Sequence, residues 1–125
     1  YVLNCSQSTM LSFEYFIKNN KLNDEVEIIE EDKEIEELEQ KALKIFNHFG
    51  SDSQEDKLHE EVGEFLKAHI LYRNGLDTRE HVVEEFSDVE LVMLQFKKTL
   101  KITDEEQMKE NIFKADRTIK KNNII

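Results

Sequence analysis

The apolar residues of this chain recur at helical rather than strand spacing over most of its length. Ile35, Leu38, Ala42, Ile45 and Phe49 follow one another at steps of 3, 4, 3 and 4, with Glu34, Glu36, Glu37, Lys41 and Lys44 between them. That spacing predicts an amphipathic helix with one face turned to a core. Gly50 reads as its stop, and Asp52 with Glu55 three residues later predicts a capping-box start for the next helix. This next helix carries Leu58, Val62, Phe65, His69 and Tyr72 on one stripe and ends at Asn74-Gly75. Asp77 and Glu80 predict the following start in the same pattern, with Val82, Phe86, Val89, Met93, Phe96 and Leu100 as its stripe. Thr103 with Glu106 caps a last helix whose expected buried face is Met108, Ile112, Ala115 and Ile119. Upstream, Phe13, Phe16 and Ile17 suggest a short helix over Ser12 to Asn19, followed by a linker from Asn20 to Asp24. The acidic run from Glu30 to Glu39 keeps helical spacing at its apolar positions, so it reads as a solvated helix face rather than a disordered tail.

The expected fold is therefore all-α, an antiparallel bundle of four to five helices. Residues 1-25 read as an N-terminal extension and residues 26-125 as one helical domain. Composition agrees: the chain has no proline, no tryptophan and three glycines, and 36% of its residues are charged, which disfavours turn-rich sandwiches and barrels. Charge narrows the partners, because 17 Lys+Arg against 28 Asp+Glu leave a formal net charge of −11, repelled by phosphate backbones and anionic membranes. No nucleic-acid partner is expected, and no apolar run approaches the ~18–20 residues of a membrane span. The first segment has neither a basic n-region nor a continuous apolar h-region. The single Cys5 cannot form an internal disulfide, which fits a reducing, cytoplasmic setting.

Candidate chemistry lies on the two central helices. Glu60, Glu61 and Glu64 stand on the first and Glu84, Glu85 and Asp88 on the second. Glu61 and Glu64 are i,i+3, as are Glu85 and Asp88, so each pair projects from one helix face, with Cβ atoms roughly 5–6 Å apart. All four neighbour apolar positions, and antiparallel packing of the two helices would let the pairs converge into one four-carboxylate site. Such a cluster is costly unless a cation neutralises it. An all-oxygen site suits Mg²⁺, with Mn²⁺ as an alternative, and Mg²⁺ chemistry points to phosphates. Gly63, inside the helix, suggests the close approach of a backbone or ligand. The bland alternative is a solvated surface in an acidic protein. None of His48, His59, His69 or His81 follows a glutamate by three residues, which argues against a di-iron bundle. On the last helix Lys114, Arg117 and Lys121 form a basic edge, available to polyphosphate oxygens or to surface acids.

Glu60-Glu61-Val62-Gly63-Glu64 followed, 21 residues after Glu64, by Glu85-Phe86-Ser87-Asp88 resembles the motif of the MazG-like all-α nucleoside triphosphate pyrophosphohydrolases. Lys41-Ala42-Leu43, Phe49-Gly50, Asp88-Val89-Glu90, Gln95 and Lys114-x-x-Arg117 extend the similarity over roughly residues 35 to 121. The resemblance implies cleavage of a nucleoside triphosphate between its α- and β-phosphorus, giving a monophosphate and pyrophosphate. It implies Glu61, Glu64, Glu85 and Asp88 as Mg²⁺ ligands, with Glu60 as a water-orienting base or supporting group. Lys114 and Arg117 match positions expected to contact phosphates, and the implied assembly is a homodimer or homotetramer. For the base, Phe46 or Phe49 could stack, although both have core spacing. Two other readings stand beside this one: a phosphoribosyl-ATP pyrophosphohydrolase within the same superfamily, and a non-catalytic acidic helical module that binds a partner protein through faces that include Ile35 and Leu38.

Overall fold

Among the described residues this computed structural model has four helices: α1 (Val2–Phe49), α2 (Ser51–Arg73), α3 (Arg79–Thr99) and α4 (Asp104–Lys121). The structure describes residues 24–125 in full, and no strand occurs among them. The short helix expected over Ser12 to Asn19 falls inside α1, and the linker expected from Asn20 to Asp24 is corrected, because α1 runs through it without a break. The chain divides into two units, Tyr1–Leu38 and Glu39–Ile125. Residues 24–38 of the first unit are exposed throughout, as expected for the acidic run, but the core face expected at Ile35 and Leu38 is corrected, since both are exposed as well.

Each turn in the second unit follows from a few residues, although not always those the sequence suggested. Between α1 and α2 there is one residue, Gly50, whose φ of 88° is open to glycine at little cost. Gly50 is itself the N-cap of α2 and gives no side-chain bond. The predicted Asp52–Glu55 box is therefore corrected: Asp52 sits inside the first turn, where its charge faces the positive end of the helix, and Ser51 Oγ donates to Glu55 Oε1 at 3.2 Å. The stop at Asn74-Gly75 forms as expected, with Asn74 as C-cap and Gly75 at φ 75°. At the start of α3 the cap is Thr78, one residue later than expected, its hydroxyl accepting from the His81 N–H at 3.2 Å. This frees the Asp77 carboxylate to accept from the Thr78 N–H and to reach the His81 ring. The Thr103–Glu106 box before α4 is present in both directions, with bonds of 2.9 and 3.1 Å.

The α2–α3 pair is the centre of the second unit, with Cα atoms of the two helices within 8 Å of each other. Its short connection makes the helices antiparallel, and Phe65 meets Phe86 edge-on at 5.8 Å. The C-terminal end of α1 joins through Phe46, edge-on to Phe96 at 5.8 Å, and through Glu39, paired with Lys98 at 2.7 Å. Among the described residues Ala42, Ala68 and Val92 are the buried apolar ones, small enough for close approach. The other three buried residues are polar: Gln54, Glu61 and Gln95.

The expected buried face of α4 is corrected, because Met108, Ile112, Ala115 and Ile119 are all exposed and α4 buries no residue. Periodicity shows which face of a helix is apolar, and the partner that would cover that face is set by tertiary packing. No helix among the described residues is long and apolar enough to cross a membrane.

Candidate metal centre

Antiparallel packing of α2 and α3 brings the carboxylates of the two helices together. Glu61, Glu85 and Asp88 each offer an oxygen within 4.8 Å of the others, and Glu60, Glu61 and Glu64 do the same. Glu61 belongs to both groups and is buried at 4% exposure, whereas Glu60, Glu64 and Asp88 are exposed and Glu85 lies between. One oxygen of each inner carboxylate has a partner within its own helix. Lys57 Nζ lies 2.8 Å from Glu61 Oε1 and 3.6 Å from Glu60 Oε1, and His81 Nε2 lies 3.1 Å from Glu85 Oε1. The other oxygens, Glu61 Oε2 and Glu85 Oε2, are buried with no hydrogen-bond partner.

Buried carboxylate oxygens without a donor are expensive, and a bound cation removes that cost. The donor set is all carboxylate oxygen, with Glu60, Glu64 and Asp88 open to solvent, and such a set could hold a hard metal ion. Electrostatics agree. The Glu61 charge, with burial and the Glu85 and Glu60 charges behind it, raises the Glu64 carboxyl above its ordinary range, against the opposing pull of Lys57. Lys57 is raised in turn, chiefly by its hydrogen bond to Glu61. At the far end of the relay the His81 ring is raised mainly by its hydrogen bond to Asp77, and Asp77 is lowered mainly by the same bond. Asp77 and Glu85 thus hold the ring from both sides, four residues away in each direction.

Beside the cluster lies a pocket of about 480 Å³, within the ~300–1,000 Å³ usual for small-molecule sites. Lys57, Glu60, Glu61 and Asp88 line it together with Ile45, Phe49, Leu91 and the buried Gln54 and Gln95. Phe49, whose spacing suggested a core residue, is 57% exposed and forms part of this wall. Phe46 is half-buried against Phe96 and is not part of that wall.

The structure brings Glu61 together with Glu85 and Asp88 and, in a second group, with Glu60 and Glu64. It does not bring Lys114 and Arg117 to them: both are exposed on α4, and the Arg117 guanidinium lies 5.7 Å from the centre of the Phe113 ring, one turn away on its own helix. Gly63 has no close neighbour either, since a Cβ built there would meet nothing within 4 Å. The sequence reading passed over Lys57, Gln54 and the Asp77–His81–Glu85 relay. The i,i+4 spacing of Lys57 to Glu61, Asp77 to His81 and His81 to Glu85 was the signal that could have found the charged ones. Comparisons of the chain with protein-family models, with curated proteins and with solved structures find no match.

Proposed function

We propose that the chain is a Mg²⁺-dependent nucleoside triphosphate pyrophosphohydrolase, cleaving the α–β phosphoanhydride to give a nucleoside monophosphate and pyrophosphate and so cleansing a nucleotide pool. The observation that carries this reading is the convergence of two buried, unpartnered carboxylate oxygens, on Glu61 and Glu85, with Asp88 at the edge of a pocket of small-molecule size. The motif resemblance supplies the reaction class.

Glu61, Glu64, Glu85 and Asp88 would hold the cation. When bound, Mg²⁺ supplies charge neutralisation of the polyphosphate and acidification of an attacking water. The chain's own residues do the rest. Glu60, exposed at the pocket wall, accepts the water's proton on its carboxylate. Lys57 pairs with Glu61 and Glu60, and with Glu61 holding a cation its ammonium would be free to meet a phosphate oxygen. The His81 ring, itself held by Asp77, orients Glu85. Lys114 and Arg117 keep a phosphate role only through α4 of a second copy, since α4 does not pack on α2 or α3 of its own chain.

The test is release of pyrophosphate and monophosphate from a panel of ribo- and deoxyribonucleoside triphosphates and phosphoribosyl-ATP, with Mg²⁺ and with chelator. Metal-dependent pyrophosphate release from at least one of them is expected, and the preferred member separates the two enzyme readings. No release from any compound would favour the partner-binding module instead.

Assembly into a homodimer or homotetramer belongs to the same proposal. On α2, Val62, Leu66 and Ile70 form a stripe at i, i+4 and i+8 and are all exposed, as are Met108, Ile112 and Ile119 on α4. Contiguous apolar faces of this kind are uncommon on monomers. Light scattering is expected to give two or four times the 14.9 kDa chain mass, reduced by Leu66→Glu. A monomeric wild type at micromolar concentration would refute the assembly.

A further inference from the structure

The pocket contains two buried side-chain amides that the proposed chemistry leaves unused. Gln95 is the largest fully buried side chain among the described residues, at 1% exposure, and its Oε1 has no hydrogen-bond partner. Gln54 is 5% exposed, and both line the pocket. A buried carbonyl oxygen left without a donor costs roughly 1–3 kcal/mol, and an apolar residue of similar volume would avoid that cost. A ligand that donates to it would recover the bond.

Their place relative to the carboxylates narrows the ligand. Gln95 follows Asp88 by seven residues on α3, and Gln54 precedes Glu61 by seven on the antiparallel α2, so both amides lie two turns, about 10.5 Å along the axis, from the acidic cluster. Both displacements run the same way, towards the Gly50 turn that also carries Phe49. The pocket is thus bipolar: carboxylates for a cation and phosphates at one end, and neutral amides with an exposed aromatic ring at the other. A separation of that order suits the length of a nucleotide from phosphate to base. A primary amide presents a donor beside an acceptor, which is the complement of the hydrogen-bonding edge of every nucleobase.

We propose that Gln95, supported by Gln54, is the group that recognises the nucleobase, accepting an N–H from the base edge at Oε1, and that Phe49 stacks on the face of the base. The proposal rests on the nucleotide reading above and adds the end of the ligand that the carboxylates cannot see. Because nothing in it depends on turnover, it is tested by binding.

Calorimetric titration of the full chain, in Mg²⁺, with the common nucleoside 5′-monophosphates and with ribose 5-phosphate measures the part of affinity that the base supplies. At least one nucleotide is expected to bind tenfold or more tightly than ribose 5-phosphate. Gln95→Met, close in volume and apolar, is expected to remove that advantage, with ribose 5-phosphate binding as the internal reference. Phe49→Ala, at an exposed position, is expected to cut the same advantage severalfold and serves if Gln95→Met does not fold. Equal binding of ribose 5-phosphate and every nucleotide by the wild type would overturn the proposal, as would a base preference that either substitution leaves undiminished. A base preference present in a protein that releases no pyrophosphate would uphold the amide site and remove the hydrolase reading, so the two fail separately.

Discussion

Glu61→Gln is expected to reduce metal-dependent pyrophosphate release by at least about 100-fold, the scale seen when one preorganised charge-stabilising group is lost from a site. Glu61 is the most buried of the carboxylates and the only one common to both acidic groups, so its loss empties the centre of the site. Folding should survive. Glutamine keeps the shape, Lys57 retains Glu60 as a partner, and the Lys57 ammonium, being half exposed, can be solvated by water. Removing the Glu61 charge also removes the largest cause of the raised Glu64 carboxyl, so in chelator the variant should melt no lower than the wild type. Activity and melting are read side by side. Undiminished turnover in a folded Glu61→Gln protein would sink the assignment of the centre.

Divalent cation is expected to stabilise the wild type strongly. A ligand that binds only the folded state adds RT ln(1 + [L]/Kd), about 2.7 kcal/mol at a hundredfold excess over Kd, which for a chain of this size corresponds to a rise in Tm of roughly 5–15 °C. Mg²⁺ and Mn²⁺ should both produce it, and Asp88→Asn should abolish most of it. Its pH dependence has a definite sign. The folded-state Glu64 is raised, so its contribution to metal-free stability is fully present below the unfolded value and is lost as pH rises through the folded one. The cation, in contrast, needs the carboxylates ionised. The metal-induced shift should therefore grow as pH rises through the raised Glu64 value and shrink on acidification. A scan of melting temperature against pH, with and without Mg²⁺, measures this directly. A shift independent of pH, or one unchanged in Asp88→Asn, would point to cation binding elsewhere.

Taken residue by residue, local chemistry was the part legible from sequence. The stops at Gly50 and Asn74-Gly75 and the Thr103–Glu106 box are fixed by neighbours within a few positions, and they stand where the pattern put them. The two displaced caps show the limit of that logic. Asp52, Asp77 and Thr78 all have capping side chains, and the choice among them depended on where each helix axis had to begin, which the length of the turn decides. The i,i+3 acidic pairs were likewise visible, because helical geometry alone puts them on one face.

Only the tertiary structure decided which of those faces meet. It brought Glu85 and Asp88 within reach of Glu61, left one oxygen of Glu61 and of Glu85 buried and unpartnered, and placed Gln54 and Gln95 two turns away along the same pocket. It also left the apolar stripe of α4 uncovered and kept Lys114 and Arg117 off the acidic cluster. Periodicity carries the direction of each side chain about its own helix axis, and so the sequence determined the helices, their caps and their faces. Pairing between helices depends on contacts between residues remote in sequence, such as Glu61 with Asp88 and Phe46 with Phe96, and no local spacing encodes it.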